Sequence, residues 1–161
     1  MTLPPGYTLR PATVHDAALI QSQRTAMFTD MGSDPAKLVQ VHDAGVAWHR
    51  RMLAGGGYTG LLVEHSGDVV AGAGILWKDF PPNADTDSTV RAYLLNVYVV
   101  PDHRGHALAR HLVEAALDEC RARGVNTVTL TASDAGRPTY ERLGFVPQKE
   151  MKLLIPGEVP A

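Results

Sequence analysis

One cysteine, Cys120, stands in the 161 residues, which excludes an intramolecular disulfide. It falls in a helical pattern with Val113 and Leu117, the setting of a small buried thiol in a reducing compartment. Charge of one sign is equally scarce: 15 basic and 17 acidic residues give a net charge of −2, and no block of like charges occurs. The global basic field that holds nucleic acid is therefore missing, and no nucleic-acid partner is expected. No stretch approaches the roughly 18 consecutive apolar residues that a bilayer span needs, so no membrane partner is expected either. The opening MTLPPGYTLRP has no basic segment followed by an apolar run, and a cytoplasmic protein is the expectation. G-x-x-x-x-G-K-[ST] is absent, and so is G-x-G-x-x-G at a strand–helix junction, which excludes the nucleoside-triphosphate loop and the dinucleotide fingerprint. Seven histidines are present, including His103, His106 and His111, but no second pair with a carboxylate or thiolate at ligand spacing accompanies them, and no metal is expected.

A chain of this length, 45% hydrophobic, suits one domain, 1–161, since two would each be marginally small. Alternation from Tyr7 to Arg10 predicts a first strand, and Thr13 or Asp16 can cap a helix through Ala17, Leu19, Ile20 and Met27 that Gly32 stops. A second helix is predicted from Asp34 to Leu53, with Pro35 in its first turn, an apolar face that includes Leu38, Val41, Val46, Trp48 and Met52, and an end at Gly55 to Gly57. Two β-rich runs, Tyr58 to His65 and Asp68 to Trp77, are separated only by Ser66 and Gly67, the spacing of a tight hairpin. Gly72 and Gly74 inside the second run suggest a bulge or a close backbone approach. Asp79 to Thr89 is a polar surface loop, Val90 to Val100 a strand, Arg104 to Arg123 a helix ended by Gly124, and Asn126 to Ala132 a strand. A short helix from Arg137 to Leu143, a last strand from Phe145 to Ile155 and a tail that frays within 155–161 complete a mixed α/β (α+β) order, antiparallel strands first and a βαβ unit second.

The segment from Leu94 to Ala109, LLNVYVVPDHRGHALA, carries the chemistry. A buried strand runs through a turn into a helix whose opening is small and flanked by basic side chains, so unpaired N–H groups at the positive end of the helix dipole are offered to phosphate oxygens. A phosphorylated cofactor is the expectation.

VYVVPDHRGHALARHL, followed by NTVTLTASDAGRPTYERLGF, resembles the cofactor-binding half of the GNAT superfamily of N-acetyltransferases, whose pattern is strand, V-x-P, R-G-x-G-x-G, helix, strand and Y-x-x-x-G-F. The resemblance implies a mostly antiparallel sheet of six to seven strands with about four helices, splayed at a cleft for acetyl-CoA. It implies that the backbone of Val97, Tyr98 and Val99 holds the pantetheine arm and thioester. Arg104, Gly105, His106, Ala107, Leu108 and Ala109 would then wrap the pyrophosphate, and Ser133 would join the cofactor site. Two of the family's three glycines are here Ala107 and Ala109, substitutions acceptable where the backbone is already helical. Tyr140 is the implied proton or hydrogen-bond donor to the departing thiolate. The family's strand glutamate has no counterpart, and Glu64, Asp79, Glu150 or water remain alternatives for the base.

The implied reaction is acetyl transfer to a primary amine of a small molecule or protein by direct attack in a ternary complex. Asp79, Asp85 and Asp87 would favour a cationic acceptor, and a homodimer is compatible with the resemblance. The competing expectation is a non-catalytic acyl-CoA-binding sensor or interaction module of the same fold, suggested by the missing glycines and glutamate.

Overall fold

The computed structural model describes residues 2–157, and contacts divide the chain into two compact units, 1–131 and 132–161. The first unit is built on a five-stranded sheet in chain order: β1 (Tyr7–Pro11), β2 (Tyr58–His65), β3 (Asp68–Asp79), β4 (Val90–Val99) and β5 (Val128–Leu130). The first four pair antiparallel, and β5 pairs parallel with β4. Between β1 and β2 run α1 (Ala17–Asp30) and α2 (Pro35–Gly55), and between β4 and β5 runs α3 (Leu108–Ala122).

Local sequence sets these boundaries. Thr13 and Asp16 form a reciprocal capping box on the 3-10 turn that leads into α1. The Asp34 side chain accepts from the Ala36 N–H at 3.0 Å, Pro35 takes the first helical position of α2, and Gly56 ends the helix at φ 77°. Ser66 and Gly67 both adopt positive φ, 52° and 84°, the two-residue turn that matches the twist of a hairpin.

The sheet is covered on both faces. Leu62 packs with Ile20 of α1, while its neighbour Val63 faces the other way into a cluster with Leu108 and Leu112 of α3. Burial on both faces explains why β3 reads as a near-continuous apolar run from Val70 to Ile75. Cys120 is a buried thiol on α3 whose titration burial pushes up. On α2 only His49 is fully buried; Val41, expected on the apolar face, is exposed. Among the described residues no helix is long and apolar enough to cross a membrane.

The second unit contains α4 (Arg137–Arg142), the short helix expected before Gly144. The sheet has five strands, not six to seven, and the strand expected from Phe145 to Ile155 is not formed among the described residues. Alternating sequence makes a strand only when a ladder satisfies its backbone, and Pro147 removes one donor from that run. Val146, Met151 and Leu153 stand 78%, 94% and 81% exposed. Of the tail expected to fray, residues 158–161 lie outside the described ones.

The entry to α3 also departs from expectation. Pro101–His103 forms a separate 3-10 turn and the helix begins only at Leu108. Ala109 is helical, but Ala107 is the N-cap residue in the left-handed region, φ 57° and ψ 25°. A Cβ there meets the following carbonyl and costs about 1–2 kcal/mol. Ala107→Gly should therefore stabilise the protein by about 1 kcal/mol after the entropy of the added glycine is offset, read as a higher urea midpoint at unchanged m-value; an unshifted or lowered midpoint would contradict the strain.

Candidate active site

The register of β4 sets the geometry of the site. Leu95 pairs with Gly74 and Tyr98 with Gly72, so Asn96 and Val97 oppose the single Ala73 and form a bulge. Glycine occupies both flanking positions because there is no room for a side chain: the Tyr58 phenol lies where a Cβ on Gly74 would stand, and Gln23 Oε1 lies 2.5 Å from a Cβ built on Gly72. Asn96 takes φ 58°, a conformation that asparagine tolerates better than most residues.

Asn96 is 3% exposed, and its carboxamide joins three other elements. Nδ2 donates to the Tyr58 hydroxyl at 3.0 Å and to His49 Nε2 at 3.1 Å, and Oδ1 accepts from Arg24 Nη1 at 2.8 Å. His49 Nδ1 lies 2.8 Å from the Gly45 carbonyl, which can only accept, so Nδ1 carries the proton and Nε2 presents its lone pair to Asn96. Trp48 meets both the His49 and Tyr58 rings edge-on, at 4.9 and 5.9 Å. Burial pushes the His49 imidazole below its ordinary range, with the Arg24 charge adding to the effect, and pushes the Tyr58 phenol up to about 12. The Arg24 guanidinium is half-buried, lies 4.7 Å over the Phe28 ring, and pairs with no carboxylate among the described residues.

On the far side of β4 from β3, the ladder with β5 runs only from Ala92↔Val128 to Leu94↔Leu130. From Leu95 to Val99 that edge has no strand partner among the described residues, and Val97, Tyr98 and Val99 lie along it. The chain continues through Arg104, Gly105 at φ 84° and His106 to Ala107. No side chain caps α3, so the first-turn N–H groups at Leu108 and Ala109 lack helical acceptors, while the Leu108 side chain is buried in the core. Arg104 folds back: Nε donates to the Val99 carbonyl at 3.0 Å and Nη2 to Asp30 at 2.8 Å. His106 Nδ1 donates toward the carbonyls of His103 and Arg104, bracing the turn from within. His103 meets the Tyr7 hydroxyl through Nδ1 at 2.9 Å, and among the described residues no three His, Cys, Asp or Glu side chains gather as a ligand set.

Within 132–161, Tyr140 lies on α4, half-buried, with the Phe145 ring edge-on at 5.9 Å, and burial pushes its hydroxyl titration up. Ser133 Oγ accepts from the Gly136 N–H at 3.1 Å. The proposed bases fare differently. Glu64 is held by Arg10 at 2.6 Å, in a triad completed by Asp16. Asp79 ends β3 in solvent, as do Asp85 and Asp87 in the loop beyond, and Glu150 is exposed. That loop is tied down rather than loose: buried Arg91 donates to the Ser88 and Pro81 carbonyls at 2.7 and 2.8 Å, and Thr86 is buried.

Arg24 and His49 were not legible as site residues, although a signal existed. Between Ile20 and Met27 the residues that turn inward are Gln21, Gln23 and, in part, Arg24, and an ordinary amphipathic helix carries apolar residues there. The buried imidazole has a consequence in solution. Unfolded, it takes up a proton near its ordinary pKa of 6.5; folded, it does so only at lower pH. Between the two the unfolded chain binds more protons, so His49 makes stability fall as pH drops below about 6.5. His49→Gln should flatten the slope of unfolding free energy between roughly pH 7 and 5; an unchanged slope in urea titrations would show that the imidazole is not held neutral.

Residues 24–145 match the model of the acetyltransferase (GNAT) family. A solved GCN5-related N-acetyltransferase from Ralstonia eutropha JMP134 superposes with a TM-score of 0.91 at 34% identity, over 94% of this chain and 100% of that one. A predicted acetyltransferase from Clostridium acetobutylicum, solved with acetyl-CoA, gives 0.86 at 26% identity, over 92% and 96%. N-alpha-acetyltransferase 30 of Schizosaccharomyces pombe is 33% identical over 67 residues, 40% of this chain and 45% of that relative, so the match spans less than half of the curated protein. With the family model covering residues 24–145 and the fold shared over 94% of the chain, the chain belongs to the GNAT acetyltransferase family.

Proposed function

We propose that the protein is a cytoplasmic, acetyl-CoA-dependent N-acetyltransferase, working as one domain, that transfers an acetyl group to a primary amine by direct attack in a ternary complex. The observation that carries this reading is the β4 edge from Leu95 to Val99, left without a strand partner where β5 ends and followed directly by the turn into α3. Backbone groups of Val97, Tyr98 and Val99 would hold the pantetheine arm as a substitute strand. The N–H groups from Gly105 to Ala109 suit the pyrophosphate, since Gly105 has nothing within 4 Å of a Cβ position and the backbone there can be approached closely. Arg104 and His106 add positive charge or donors at that turn, and Ser133 completes the set.

Bound acetyl-CoA supplies an electrophilic thioester carbonyl. The amine nitrogen attacks that carbon, negative charge gathers on its oxygen, and the C–S bond breaks as the sulfur accepts a proton. A backbone N–H on β4 serves the oxygen and Tyr140 serves the sulfur. A phenol near 10 gives its proton to a thiolate near 8.5 only uphill, by about 2 kcal/mol, and burial of Tyr140 raises that further. Tyr140 therefore acts chiefly as a hydrogen-bond donor that completes transfer as the bond breaks. Glu64 is engaged by Arg10, which leaves Asp79, Glu150 or water as acceptor of the amine proton.

Calorimetry with acetyl-CoA, followed by thiol release across an amine panel, tests the reading. Binding with amine-dependent release is expected; binding without release for any amine would instead support a sensor or interaction module. Tyr140→Phe should lower kcat about 10- to 1000-fold with acetyl-CoA affinity retained, and an unchanged kcat would remove Tyr140 from the chemistry.

A further inference from the structure

Arg24 is a half-buried cation whose protein partners are all uncharged. Its Nη1 donates to Asn96 Oδ1 and its guanidinium rests on Phe28, while Nε and Nη2 find no acceptor among the described residues. Its polar neighbours are His49, which is held neutral, and the phenols of Tyr58 and Tyr93. Other arginines of this unit are held by the protein instead: Arg10 pairs with Asp16 and Glu64, Arg91 donates to two carbonyls, and Arg104 reaches Asp30 and the Val99 carbonyl. Charges withdrawn from water are ordinarily matched by an opposite charge, and a planar guanidinium with one edge free matches a carboxylate with two parallel hydrogen bonds.

The location assigns that carboxylate to the acceptor and not to acetyl-CoA. Arg24 contacts the side chain of Asn96, the residue before the Val97 to Val99 segment on which the pantetheine arm and thioester are laid; the phosphate turn begins only at Arg104. We propose that the acceptor is a small amine that also carries a carboxylate, and that Arg24 is the specificity-determining residue that binds it. The inference rests on the acetyltransferase reading for the identity of the ligand as an acceptor.

The test compares free amino acids with their carboxamides of identical skeleton, together with a matched aminoalkyl phosphate. Wild-type kcat/KM should favour the carboxylate member by about 10- to 100-fold, the scale of charge-assisted hydrogen bonds. Arg24→Gln should bring that ratio close to one, and Arg24→Lys should restore part of it. Because each ratio is taken within one protein, a loss of folded enzyme cancels, and thermal melts establish that the variants fold. Equal turnover of acid and amide by the wild type, or a preference for the phosphate alone, would overturn the proposal while leaving the acetyltransferase reading intact. If no amine releases thiol, that reading fails instead, and calorimetric titration of acid against amide still decides: selective binding of the acid that Arg24→Gln abolishes supports the role of Arg24, and equal binding refutes it.

Discussion

One carboxamide holds the site together. Asn96 meets Arg24 from α1, His49 from α2 and Tyr58 from β2, so three elements far apart in sequence converge on one side chain of β4. Holding an asparagine at positive φ inside a strand costs on the order of 1 kcal/mol. Releasing it would leave several buried polar groups without partners, each at about 1–3 kcal/mol, so the bulge is the favoured conformation. The bulge re-aims β4 at the place where the β5 ladder stops, and the open edge beyond it belongs to the part of the strand whose direction Asn96 fixes.

The electrostatics around that joint are one-sided. His49 is kept neutral and Tyr58 keeps its proton, so Arg24 carries the only permanent charge of the cluster. Three carboxylates of this unit are engaged by other arginines: Asp16 and Glu64 close a triad with Arg10 at the β1–β2 edge, and Asp30 takes Arg104. The site is thereby left cationic and rich in donors, an arrangement suited to electron-rich groups and poorly suited to holding a second cation close to β4.

Much of this frame could be read from the chain because local chemistry decided it. Ser66-Gly67 supplies the two positive φ angles a tight hairpin needs, Asp34-Pro35 starts α2, and Gly72 and Gly74 mark the bulge and the close approach expected of them. What was not legible depended on distant partners. Phe145 to Ile155 alternates like a strand, but a period of two records only which residues could share a face, not whether a neighbouring strand offers its hydrogen bonds. Ala107 looked like an ordinary helical alanine until the separate 3-10 turn at Pro101–His103 moved the start of α3 to Leu108. Asn96 carries no local sign of its left-handed backbone, because its conformation is set by partners located 38, 47 and 72 residues away.

The ring of Tyr58 standing in the place of a Cβ on Gly74 ties two positions on adjacent strands into a single steric unit. Neither can change freely on its own: a methyl at 74 requires a smaller neighbour at 58, and a smaller residue at 58 removes the hydroxyl that accepts from Asn96. Drift at this pair is thus confined to correlated exchanges that also rebuild the polar cluster around Asn96.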